Sequence, residues 1–325
     1  MIYRIFKTDL QNVNKFKERT YQLVVHIKDH KDIPFDHTEL SELLLSACRL
    51  NELNILHYEG NKMYISTESA EFWIEKRLLP NTVVLNFDDE DVIRLLLFSF
   101  EITYKMFEGG TRATVTAKGF RERRRTFESI VVDQFNGKLG EVLLKRFLES
   151  KFPNVFIELD WEISRDIKKY RNDIVNATKK VSIKSTNSLA GIWAEADKGC
   201  DYGITVKCGV PEPILLQFFI EVCGFSRLIN FANNKIPNDD EKFKKYIESI
   251  NERIKSYKCG EFISKLKGFI CGYFTTYRLE VAKKGEIKKY LGEVKEERYI
   301  VRISELKYGK KDWEFFLKDT GLLRD

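Results

Sequence analysis

Apolar residues recur at helical spacing over 15–28 and 38–50, which predicts two amphipathic helices near the start of the chain. The pattern then changes to a hairpin over 54–66, with Ile55-Leu-His-Tyr and Met63-Tyr-Ile on either side of Glu59-Gly60-Asn61. Ser66 or Thr67 is placed to cap a further helix running through Glu75, and Asp88 or Asp89 to cap another that reaches Phe107. Helix, helix, hairpin is the order of a winged-helix-like module. Gly109-Gly110 interrupts the last helix, so the expected boundary separates an N-terminal helical unit, 1–108, from a larger unit, 109–325.

Beyond that boundary helical and strand-like segments mix. Residues 136–148 predict a helix with Leu139, Val142, Leu143 and Phe147 on its buried stripe, ended by Pro153. Strands are expected over 154–161, 201–208 and 299–303, and further alternating elements over 262–274 and 277–281. A helix is expected over 188–198 and a closing one over 311–317. The segment 172–186 reads as a hairpin: Ile174-Val175 and Val181-x-Ile183 are β-branched, and 176–180 is polar and turn-like. These orders predict an α/β or α+β core with a mixed sheet flanked by helices.

Composition narrows the class. A length of 325 residues with 43% hydrophobic content suits one large domain or two modest ones. No apolar run approaches the ~20 residues needed to span a bilayer, and the first ten residues carry no signal-peptide pattern, so a cytoplasmic protein without a membrane partner is expected. None of the six cysteines forms a Cys-x-x-Cys pair, which disfavours a zinc ribbon and favours free, mostly buried thiols. The net charge of +6 is unevenly placed. Arg112, Lys118, Arg121, Arg123, Arg124 and Arg125 stand against Glu122 alone, so 111–125 carries +5 of it. A concentration of that kind suits phosphate contacts on a polyanion, and a solvated helix face is the plainer alternative.

The chemistry that is missing matters as much. The sequence has no Gly-x-x-x-x-Gly-Lys-Ser/Thr loop, no Gly-x-Ser-x-Gly elbow and no His-Glu-x-x-His motif. All four histidines precede residue 60, so carboxylate and lysine chemistry is what remains for the larger unit. Phosphodiester hydrolysis can be run with those groups: carboxylates hold Mg²⁺, and a lysine orients water and neutralises developing charge. Asp173 is the candidate metal ligand, the Ile183 carbonyl a second, and Lys184 the candidate catalytic lysine. The plainer alternative for Asp173 and Lys184 is a surface ion pair across the hairpin, and for Glu141 an exposed pair with Lys145 one turn on.

Three segments within roughly 112–208 resemble the PD-(D/E)xK nuclease superfamily, and within it type II restriction endonucleases. Gly137-Lys-x-Gly140-Glu141 is similar to the core helix whose glutamate helps bind metal. Asn172-Asp173-Ile174 is similar to the motif aspartate, and Val181-Ser182-Ile183-Lys184 to the strand that usually reads hydrophobic-Glu-x-Lys. Ser182 departs from that pattern. Some members carry Ser-x-Lys and take the missing carboxylate from further along the chain, where this sequence offers Glu195 and Asp197. The resemblance implies a restriction-endonuclease-like fold and a Mg²⁺-dependent endonuclease acting on double-stranded DNA, with metal held by Asp173, Ile183, Glu141 and Glu195. It also implies a homodimer where the cleaved site is a palindrome. Asp160 and Asp166 are reserve acids. A catalytically silent DNA-binding regulator and a structure-specific or repair nuclease are the competing readings.

Overall fold

The computed structural model describes residues 1–86, 89–108, 127–163, 172–210 and 265–323, with Leu215, Glu241, Lys245 and Glu248 besides. The six basic residues of 112–125, and Asp166, lie outside the described residues.

The N-terminal elements follow from their caps. Helix α1 (Val13–His30) starts at Asn12, whose side chain accepts from the Asn14 and Lys15 amides. Helix α2 (His37–Leu50) starts at a capping box formed by Asp36 and Glu39. The expected hairpin is β2 (Leu56–Glu59) and β3 (Lys62–Ser66), and an additional strand, β1 (Ile2–Ile5), pairs antiparallel with β3. Ser66 then caps α3 (Thr67–Trp73).

The main sheet has the order β4 (Thr82–Asn86), β8 (Lys265–Thr275), β7 (Tyr202–Cys208), β5 (Val181–Thr186). Its β4/β8 and β8/β7 pairs are antiparallel and its β7/β5 pair is parallel, so the sheet is mixed. A second ladder joins β6 (Trp193–Asp197) to β11 (Arg298–Arg302). The small β9 (Ile287–Lys288) and β10 (Gly292–Glu293) pair only with each other. Helices α4 (Glu90–Glu108), α5 (Phe127–Lys151) and α6 (Lys310–Asp319) cover one face of the main sheet. Leu95, Leu143, Ile183, Ile204, Ile270 and Trp313 meet in that core.

The other face is covered by the N-terminal unit together with β6. There Phe269 and Cys271 of β8 and Ala194 and Ala196 of β6 pack with Phe16, Leu44 and Trp73. The division at 108/109 therefore falls inside one packed layer: β4 and α4 precede it, yet β4 is hydrogen-bonded to β8 and α4 shares its core with α5.

Several local expectations need correction. Residues 188–198 hold no helix; 193–197 form β6. Trp193-Ala-Glu-Ala-Asp has a period of two, and Ala194 and Ala196 are fully buried, so pairing with the distant β11 overrides the helix propensity of alanine. The strand expected over 154–161 is reduced to bridges of Val155 with Leu323 and Leu159 with Ile174, and 277–281 forms no strand. The first arm of the 172–186 hairpin is also no strand. Asn172 and Asp173 sit in a bend beside β5, held there by the Asp173 amide donating to the Val181 carbonyl at 3.2 Å.

Candidate functional site

Strand β5 is the edge of the main sheet, and helix α5 lies directly across it. Gly140 permits that approach: a Cβ built there falls 2.7 Å from the Ser185 Cβ. The Ser185 hydroxyl donates to the Gly137 carbonyl at 2.8 Å, fixing the helix against the strand. Glu141, next along α5, is thereby carried to the edge of β5 with only 9% of its surface exposed.

Asp173 reaches the same edge from outside the sheet. The Ile183 amide donates to Asp173 Oδ2 at 2.6 Å. In an extended strand the N–H and C=O of one residue point the same way, so the Ile183 carbonyl faces this side too. Asp173, Glu141, Lys138, Ile183 and Lys184 line one cleft of about 330 Å³, closed on its apolar side by Phe98.

Electrostatics make the cleft unusual. Burial pushes the Glu141 carboxyl up to about 8, with the nearby Asp173 raising it further and Lys138 opposing. Burial also raises Asp173, against the lowering effect of the Ile183 amide and of Lys184 and Lys138. The Lys138 ammonium bonds Glu141 Oε2 at 2.6 Å and the Asp160 carbonyl, and lies 5.2 Å from the centre of the Trp161 ring. Lys138 is thus the partner of Glu141. Lys145, the partner expected from helical spacing, lies 4.0 Å from Asp91.

Lys184 and Ser182 project from the opposite face of β5 to Val181 and Ile183. Lys184 Nζ contacts Asp197 Oδ2 at 2.6 Å, and the Ser182 hydroxyl donates to the same oxygen at 3.0 Å. The Asp173–Lys184 ion pair does not form; Asp197 takes the lysine. A carboxylate from β6 therefore stands over the β5 position where the sequence has serine. Glu195, two residues earlier, is bound to Arg298 on β11 and lines a different pocket.

The fold thus brings together Asp173, Glu141, Ile183 and Lys184, sets Asp197 beside Lys184, and directs Glu195 elsewhere. Among the described residues, no three His, Cys, Asp or Glu side chains are grouped to hold a metal ion. The hard oxygen donors that do converge are the carboxylates of Glu141 and Asp173, two like charges in a buried site. That donor chemistry suits Mg²⁺, which usually keeps several waters and needs only one or two protein carboxylates. Lys138 and the Asp160 carbonyl belong to the site although the sequence had suggested no role for Lys138. The signal was present as the i, i+3 spacing of Lys138 and Glu141.

No family model, curated protein or solved structure matches the chain. Among the described residues no helix is long and apolar enough to cross a membrane.

Proposed function

We propose that the protein is a Mg²⁺-dependent DNA endonuclease whose active site is the cleft formed by Glu141, Asp173, Ile183 and Lys184. The observation that carries this reading is the convergence of two buried carboxylates from separate parts of the chain on one strand edge, beside a lysine. Glu141, Asp173 and the Ile183 carbonyl would hold the ion. When bound, Mg²⁺ lowers the pKa of coordinated water and offsets charge on the phosphate. The side chains divide the remaining work. The Ile183 amide fixes Asp173, and Lys138 fixes Glu141. Asp197, itself bound by the Ser182 hydroxyl, holds the Lys184 ammonium in place, where it can stabilise charge developing on a phosphate oxygen. The order of these segments along the chain favours a type II restriction enzyme acting as a homodimer on duplex DNA.

Supercoiled plasmid incubated with Mg²⁺ or with EDTA tests the proposal. Discrete fragments with Mg²⁺, absent in EDTA and with Asp173→Ala or Lys184→Ala, support it. Intact plasmid under Mg²⁺ and Mn²⁺ would overturn it. One observation favours a second reading: Asp160 and Glu162 also line the cleft, yet no three acids among the described residues are grouped to hold a metal ion, as expected of a silent DNA-binding module. That reading requires Asp173→Ala and Lys184→Ala to leave DNA-dependent function intact.

A further inference from the structure

A second pocket, of about 260 Å³, opens on the other side of Lys184 and Ser185, which line both cavities. It is bounded by β5, β6, β7, the start of β11 and Tyr290. Its floor is formed by Thr205 and Lys207, alternate residues of β7 that share one face of the strand.

Three residues that line this pocket carry buried donors. The Lys207 side chain is 1% exposed, and its ammonium donates to Ser46 Oγ and to the Leu189 carbonyl, each at 2.7 Å. Both acceptors are neutral, and among the described residues no carboxylate pairs with it. The Thr205 hydroxyl is buried with no hydrogen-bond partner among the described residues. Arg298 contributes an Nε in the same condition, its NH1 and NH2 being taken by Glu195 and Glu296. The other charges of the pocket are balanced: Lys184 by Asp197, and Arg298 by Glu195. Lys207 is left without an ion-pair partner among the described residues: Glu52, the carboxylate that acts on it from a distance, is paired with Arg77.

A buried cation without a counter-ion is costly, and burial correspondingly lowers the Lys207 pKa to about 8. An orphaned hydroxyl and guanidinium N–H beside it are costly for the same reason. An oxyanion bound among these side chains would offer each of them an acceptor. A single unpaired charge matches a monoanion, and a phosphate diester is monoanionic at neutral pH.

We propose that this pocket is an oxyanion site for a phosphate diester, next to the Glu141–Asp173 cleft and sharing Lys184 with it. Its donors are the Lys207 ammonium, the Thr205 hydroxyl and Arg298 Nε. The diester is a free phosphate ester or a backbone phosphate neighbouring the one held in the cleft; only the second source rests on the endonuclease reading.

The test uses dimethyl phosphate as the probe, with EDTA present so that no cleavage intervenes. Binding is followed by ³¹P line broadening and by the thermal midpoint of the full chain. The variants are Lys207→Met and Thr205→Val. Thr205→Val removes a hydroxyl that has no partner among the described residues, so it is expected to fold and to melt no lower than wild type; Lys207→Met also takes the donor from Ser46 and Leu189, so its folding is checked by its own melting transition. The wild type is expected to bind the probe, and each variant to bind it on the order of tenfold more weakly, the loss of one charge-assisted or neutral hydrogen bond. Variants that fold and bind dimethyl phosphate like wild type would overturn the site, as would a wild type blind to the probe. Competition by a short DNA duplex assigns the backbone source. Probe binding without such competition assigns a free ester and overturns the backbone source. Plasmid that stays intact while probe binding persists overturns the endonuclease reading and leaves the pocket standing.

Discussion

Gly137 and Gly140 lie three residues apart on α5, and replacing each by alanine is expected to have opposite effects. In a helix alanine is favoured over glycine by roughly 0.8–1.0 kcal/mol. At Gly137 an added Cβ meets nothing within 4 Å, so Gly137→Ala should gain most of that stability. At Gly140 the new Cβ would stand 2.7 Å from the Ser185 Cβ and 3.5 Å from its Cα. Carbon atoms prefer ~3.5–4.0 Å, so α5 and β5 must separate by on the order of 1 Å. Overpacking of that kind costs about 1–3 kcal/mol, which more than offsets the propensity gain and leaves Gly140→Ala destabilised by up to ~2 kcal/mol. The functional effect should exceed the stability effect, because the same displacement moves Glu141 away from Asp173, and a 1 Å misplacement can cost ~100-fold in rate. Urea denaturation gives the stabilities and plasmid cleavage in Mg²⁺ gives the rates. Because the clash is with a Cβ, Ser185→Gly added to Gly140→Ala should recover stability beyond additivity. Equal stability and equal rates for Gly137→Ala and Gly140→Ala would refute the account of why glycine precedes Glu141.

The remaining expectations concern charge. The Glu141 carboxyl titrates near 8 in the folded chain against an ordinary 4.5, so the native state binds the extra proton between those values. Stability in EDTA should then be greatest below about 4.5 as far as this group is concerned, and fall by at most ~1.4 kcal/mol per pH unit up to about 8. Glu141→Gln should flatten that slope, measured as the urea midpoint against pH, and Mg²⁺ should flatten it in the wild type. Lys138→Met removes the ammonium that holds Glu141 down, so its destabilisation should be larger at pH above the Glu141 titration than below it, by the same assay. Asp197→Asn breaks an ion pair whose side chains are 35% and 58% exposed, so the melting transition should move little, by less than about 1 kcal/mol. A concurrent large drop in cleavage would assign Asp197 to holding Lys184 for catalysis, and unchanged cleavage would remove it from the site.

Local signals carried much of the fold. The apolar spacing of 15–28 and 38–50 marked α1 and α2, and Ser66 marked the start of α3, because its side chain satisfies the Ser69 amide. The alternation of 202–208 and 299–303 likewise marked β7 and β11. What local pattern cannot express is which distant segment completes an element. Strand β6 exists because β11, a hundred residues away, pairs with Ala194 and Ala196; read alone, an alanine-rich stretch favours helix. Contacts across the 108/109 division are hidden from local pattern in the same way. Gly109-Gly110 does follow a helix, but β4 and α4 before it are bound to β8 and α5 after it.

The same distinction runs through the site. That Glu141, Asp173 and Lys184 converge on one cleft was legible because each stands in a short segment of characteristic order. Lys138 and Lys207 were not, because their roles depend on partners contributed by other elements, the Asp160 carbonyl and Ser46 of α2; Asp197 was offered for the gap at Ser182, but only the pairing of β6 with β11 separates it from Glu195. The serine at 182 illustrates why this matters for mechanism. Read along the strand, it is a missing carboxylate. In space its hydroxyl donates to Asp197, so the position retains an acid, supplied from β6 and already neutralised by Lys184. Glu141 is held by Lys138 as Asp197 is by Lys184, so of the three acids Asp173, which accepts from the Ile183 amide and forms no ion pair among the described residues, is the one whose charge is left for a cation. On the proposed reading Asp173 is then the acid best placed to bind the ion, and Asp197 is better suited to orienting the lysine.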